Sequence, residues 1–103
     1  MSVTLRVVQN YDIGHEKEFL ELERSFAELE RRRPDYVKGK RTKPISGPEA
    51  ANTLIWEGEF PNLKAAGDWL DFVSKDAEHD KLFARQQPFF NSVRIEFYEN
   101  LDY

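Results

Sequence analysis

Thr53-Leu54-Ile55-Trp56-Glu57-Gly58-Glu59-Phe60 alternates strictly: Leu54, Trp56, Gly58 and Phe60 fall on one side, Ile55, Glu57 and Glu59 on the other. That is the period of two of a β-strand with one apolar face. Pro61-Asn62 follows at once, and the Asn62 side chain is placed to accept a backbone N–H at the start of a helix. Beyond it Leu63, Ala66, Leu70, Val73 and Ala77 recur at three- and four-residue steps, the buried stripe of a helix, with Trp69 and Phe72 widening it. A polar run over residues 74–80 predicts a bend, after which Leu82, Phe83 and Ala84 continue the helix to Gln87 until Pro88 ends it.

The flanking segments repeat the pattern. Upstream, Val3, Leu5 and Val7 set against Thr4, Arg6 and Asn10 predict a strand over 3–11, and Asp12-Ile13-Gly14 is turn chemistry. Phe19, Leu22, Phe26 and Leu29 then mark a first helix that Pro34 stops. Glu16, Glu18, Glu21 and Glu23 near its start and Arg31, Arg32 and Arg33 at its end complement the helix dipole, and the charge run reads as a solvated face. Tyr36–Lys43 reads as a short exposed strand whose lysines discourage edge pairing, with a loop over 44–52 behind it. Downstream, Ser92–Leu101 is a last strand with Val93, Ile95 and Phe97 inward and Arg94, Glu96 and Tyr98 outward.

The order is β-α-β-β-α-β in a chain of 103 residues, the length of one domain, here 1–103. Two right-handed crossovers give an α+β, ferredoxin-like arrangement: a four-stranded antiparallel sheet with helices on one face. The usual strand order puts the first strand between the third and fourth, so Arg6 should sit between Glu57 and Glu96. The face opposite the helices would present Thr4, Arg6, Val8, Ile55, Glu57, Glu59, Arg94, Glu96 and Tyr98. That mixture is too apolar for an ordinary wet face and too charged for a core, so it calls for a partial cover.

Composition narrows the function classes. With 40% hydrophobic and 33% charged residues the chain is globular. A formal net charge of −4 argues against nucleic-acid binding, which needs an excess of lysine and arginine. No run approaches the ~20 apolar residues that span a bilayer, so no membrane role is expected. The absence of cysteine removes thiolate chemistry and cysteine metal sites and fits a cytoplasmic protein. His15 and His79 are the only imidazoles and lack metal-ligand spacing, while the five glycines never cluster into a phosphate loop. No metal and no cofactor is therefore expected.

The strand Thr53–Phe60, the helix start at Pro61–Leu70 and the segment Asp76-Ala77-Glu78-His79-Asp80 together resemble the dimeric α+β barrel superfamily, with its antibiotic-biosynthesis-monooxygenase-like, haem-degrading and NIPSNAP-like branches. The resemblance covers the whole chain through element order and its middle third through residues. It implies a homodimer in which two sheets pair face to face as a dimeric α/β barrel, supplying the missing cover, with a pocket between each sheet and its own helices. Trp69 and His79, ten apart, are spaced similarly to the tryptophan and axial histidine of haem-degrading members. Those members carry an asparagine on the first strand about seven residues before the helix-opening glycine, where this chain has Val7.

The candidate site follows. His79 is the candidate base, since imidazole's ordinary pKa of ~6.5 lies nearest neutrality, and Trp69, Phe72 and Phe83 are its candidate walls. Trp56 offers a second flat face, and Tyr36 with Arg41 would orient an anionic group at the mouth. Two readings stand: a small-molecule protein performing cofactor-independent oxygenation or isomerisation of an aromatic or enolic compound, or a non-catalytic binding or stress-associated module. A concave site of roughly 300 Å³ or more reaching Trp69 and His79 would favour the first, a filled interior the second.

Overall fold

The structure is a computed structural model that describes residues 1–103. Strand β1 (Val3–Tyr11) leads through a 3-10 turn into helix α1 (Glu16–Arg32). Short strand β2 (Lys40–Thr42) and strand β3 (Thr53–Phe60) follow, then helices α2 (Leu63–Lys75) and α3 (Ala77–Gln86), and finally strand β4 (Phe90–Glu99). All pairings are antiparallel and the sheet order is β2-β3-β1-β4, the expected ferredoxin-like topology. Arg6 pairs with Glu57 on one side and Glu96 on the other, at 3.7 and 3.3 Å, as the register expectation required.

The core lies between the helices and the face made by the odd residues of β1. Leu5, Trp56, Phe60 and Ala66 form one buried group, Tyr11, Phe19 and Leu54 a second, and Leu29, Tyr36 and Val73 a third. Phe19, Trp56 and Phe60 belong to the stripes their spacing assigned, because burying such rings is the main return on folding. Trp56 lies flat under two glycines: a Cβ on Gly39 would stand 1.9 Å from its Nε1, and one on Gly58 2.4 Å from its ring. Only a hydrogen in place of a side chain admits the indole there.

Several expectations are corrected. The second strand is three residues long, not eight, and Tyr36 precedes it: its N–H closes a turn onto Arg33 and its ring is turned into the core. The bend over 74–80 is a full break. Asp76 is extended (φ −82°, ψ 125°) and caps α3 by accepting from the His79 N–H, so there are three helices instead of two. The break resets the helical phase, which leaves Ala77 exposed, and Leu63 stands exposed in the first turn of α2. Val93, Ile95 and Phe97 do point to the helix side of the sheet but stay 43–49% exposed, because the helices lie over β1 and β3 and stop short of the edge strand β4.

The largest correction concerns α1, whose acidic residues are not all on a wet face. Glu23 and Glu30 are buried at 6% and 7% exposure among Phe19, Leu22, Phe26 and Leu29. Being seven apart, they share one azimuth of the helix, and it faces the sheet.

Candidate functional site

Between α1, α2, α3 and the sheet lies a cavity of about 310 Å³. Val7 and Trp56 form its floor from the sheet, Phe26 lines it from α1, and Trp69, Leu70 and Val73 line it from α2. His79, Phe83 and Gln86 close it from α3, and Val93 and Ile95 edge it where β4 is uncovered. Trp56 and Trp69 stack face to face, 4.8 Å between centroids and 5° between planes, forming one broad aromatic wall.

One end of the cavity is a buried polar network. Arg41 donates from Nε to Glu23 (2.6 Å) and from Nη1 and Nη2 to the two oxygens of Glu30 (3.1 and 2.5 Å). Glu30 also accepts from the Trp56 indole N–H (3.2 Å) and the Gly39 backbone N–H (3.0 Å), and Glu23 accepts from the Gln86 amide (2.9 Å). Burial opposes the charge on Arg41, but the hydrogen bonds it donates to Glu30 and the two nearby carboxylates outweigh it and raise its pKa further. The bidentate Arg41–Glu30 pair fixes β2 against α1, the geometry in which guanidinium and carboxylate bind best.

His79 occupies the opposite side. Its ring lies 5.1 Å from Phe26 and 6.2 Å from Phe83, and its Nδ1 is buried with no partner. Burial pushes its pKa below the ordinary imidazole value, partly offset by Asp80, Asp76 and Glu30, so the ring is held neutral. The Trp69 Nε1 is likewise buried and unpartnered. Three side-chain atoms of the molecule are in that condition, and two of them belong to residues on this cavity's wall. Buried polar groups are nearly always hydrogen-bonded, so these two are exceptions in the interior.

Asp76 sets the position of α3. It accepts from both ends of the helix pair at once: from Arg33 Nη1 (2.9 and 2.8 Å), from the Tyr36 hydroxyl (2.8 Å) and from the His79 backbone N–H (3.3 Å). Burial alone would raise its carboxyl, but the Tyr36 and Arg33 hydrogen bonds outweigh it and hold it below the usual carboxylate range. Tyr36 is pushed up in turn, by burial first and by Asp76 second.

Of the residues singled out from sequence, His79, Trp69, Trp56, Phe83, Tyr36 and Arg41 all line the cavity. Phe72 does not. It packs edge-on against Tyr36 at 5.4 Å, because the break at Asp76 ends the continuous face it would have shared with His79. The Tyr36 hydroxyl is spent on Asp76, and Arg41 is already paired with two carboxylates through three of its five N–H groups, so neither stands as a free anion-orienting group. Glu23, Glu30, Phe26 and Gln86 are site residues that the periodicity did not reveal as such. The signal for the glutamates was their spacing of seven within the apolar stripe, matched by a lone inward arginine on β2. Where haem-degrading proteins would place an asparagine, the wall here is the Val7 side chain, so the residues present do not match that chemistry.

No family model and no curated protein matches the sequence. Solved structures do match. A NIPSNAP family protein from Agrobacterium tumefaciens superposes with a TM-score of 0.82 at 13% identity, over 99% of this chain and 88% of that one. SnoaB, a cofactor-independent oxygenase from Streptomyces nogalater, gives 0.69 at 12% identity over 99% and 95% of the two chains. A dimeric protein of unknown function and ferredoxin-like fold from Bacteroides fragilis gives 0.65 at 21% identity, over 96% of each chain. The chain therefore has the ferredoxin-like fold shared by NIPSNAP-family and antibiotic-biosynthesis-monooxygenase-like proteins.

Proposed function

We propose that this chain is a homodimeric small-molecule-binding protein that carries out cofactor-independent oxygenation or isomerisation of a flat aromatic or enolic compound. The observation that supports this reading most directly is the 310 Å³ cavity, apolar along most of its wall, whose lining residues Trp69 and His79 each carry a buried nitrogen without a hydrogen-bond partner. Its size falls in the range of small-molecule sites, and a stacked indole pair is a natural seat for a planar ring. A cavity of this size favours the small-molecule reading over a non-catalytic binding or stress-associated module with a filled interior.

The chemistry assigned to His79 is proton removal. A neutral imidazole in an apolar wall accepts the proton of a phenolic or enolic hydroxyl through Nδ1, while the Trp69 N–H donates to an oxygen of the same ligand. The resulting anion is the electron-rich species that either reprotonates at carbon, completing an isomerisation, or reacts with dioxygen. The oxygenase described among the structural neighbours is consistent with the second outcome but does not assign it to this chain.

A thermal-shift screen with phenols and quinones tests binding, because a ligand that binds only the folded chain raises the melting temperature with concentration. Hits should then consume oxygen or isomerise in a manner abolished by His79→Phe. Stabilisation without turnover would assign a non-catalytic binding module, and no stabilisation by any planar hydroxy compound would overturn the ligand site.

A further inference from the structure

We propose that the cavity selects neutral, hydroxyl-bearing planar ligands and rejects anionic ones, through the buried Glu23–Arg41–Glu30 cluster. This rests on the ligand-binding reading above and specifies its substrate class. The cluster supplies two carboxylates against one guanidinium, all three on the cavity wall. In formal charge it carries one negative charge in excess, in surroundings where an added charge is felt far more strongly than in water.

Arg41 is the one cationic side chain lining the cavity, and its charge is already met by two carboxylates, with three of its five N–H groups committed to their oxygens. A carboxylate or phosphate entering the cavity would therefore lose its hydration shell, meet the excess charge of Glu23 and Glu30, and find no cation to pair with. That is an uncompensated buried charge, and it is the repulsive element from which specificity is built. A neutral ligand avoids the penalty. The unpartnered Trp69 N–H, a donor, and the His79 Nδ1, an acceptor in the tautomer protonated at Nε2, belong to lining residues and suit a molecule with an oxygen acceptor and a hydroxyl proton.

Isothermal titration at pH 7.5 with 2-naphthol, 2-naphthoate and 2-methoxynaphthalene separates these requirements at nearly constant ring shape. The naphthol should bind about tenfold or more tightly than the naphthoate, and more tightly than the methyl ether, which lacks the hydroxyl proton. Glu23→Gln keeps the side-chain shape and matches Arg41 one to one with Glu30, so it should narrow the naphthol-to-naphthoate ratio severalfold. Glu57→Gln, on the opposite face of the sheet, should leave the ratio unchanged. Should Glu23→Gln fail to fold, the wild-type ratio still decides. Naphthoate binding as tightly as naphthol overturns charge selection while leaving the ligand site standing, and equal binding of the methyl ether overturns the hydroxyl requirement. Failure of all three probes overturns the ligand site and this inference with it.

Discussion

Glu30 is the most heavily used side chain of the interior, accepting from Arg41, Trp56 and Gly39. Truncating it to alanine leaves an indole N–H, a backbone N–H and two guanidinium N–H groups without partners, with Arg41 held only by Glu23. Removing one partner of a buried ion pair typically costs 3–5 kcal/mol, so Glu30→Ala should lose about that much in urea unfolding. His79 gives a prediction of opposite character. Its folded-state pKa lies below the unfolded value, with burial outweighing the pull of Asp80, Asp76 and Glu30. The unfolded chain therefore takes up the proton first as the pH falls. The stability linked to this group is fully present above about pH 6.5 and declines below it as the pH approaches the folded-state value. His79→Phe should remove that portion of the acid sensitivity, read as a smaller change in urea midpoint between pH 7 and pH 5. An NMR titration of the wild-type imidazole above 6.5 would contradict the assignment.

The helix boundaries differ in how far their chemistry is local. The Asn62 cap is where the sequence put it, accepting from the Ala65 N–H at 2.8 Å, because capping depends on residues three apart. Asp76 was hidden inside a polar run, since what makes it a break is not local: Arg33 and Tyr36 arrive from 40 residues or more away to hold its carboxylate. Period-two and period-3.6 patterns made β1, β3, α1 and α2 legible. They left β2 overlong, because its true extent depends on Tyr36 turning inward. Glu23 was misread, and Glu30 passed over, for the same reason: their charge is tolerable inside only because Arg41 comes from another element. Asp76→Ala removes a cap, worth about 0.5–2 kcal/mol by itself, leaves the Tyr36 hydroxyl unpaired and reduces Arg33 to its contacts with Asp35 and Glu78. It should therefore cost more than a cap alone and speed amide exchange throughout α3, whereas Asn62→Ala should cost only the cap.

For the whole molecule, the distribution of apolar surface is uneven. The face opposite the helices already buries Val8 and Ile55 within one protomer, and Glu49 from the loop before β3 reaches Arg94 across it. Tyr98 remains 46% exposed on that face. A dimer made through it should appear in sedimentation at micromolar concentration, and Tyr98→Asp should shift it toward monomer; a wild-type monomer at that concentration would remove the barrel. No helix is long and apolar enough to cross a membrane. The folded protein also carries its own optical probe. Both of its tryptophans belong to the cavity wall, so indole emission is a signal confined to that one chamber. Any guest sliding against the stacked rings, or any solvent admitted between them, should alter the colour and brightness of the whole sample without a dye or label being attached.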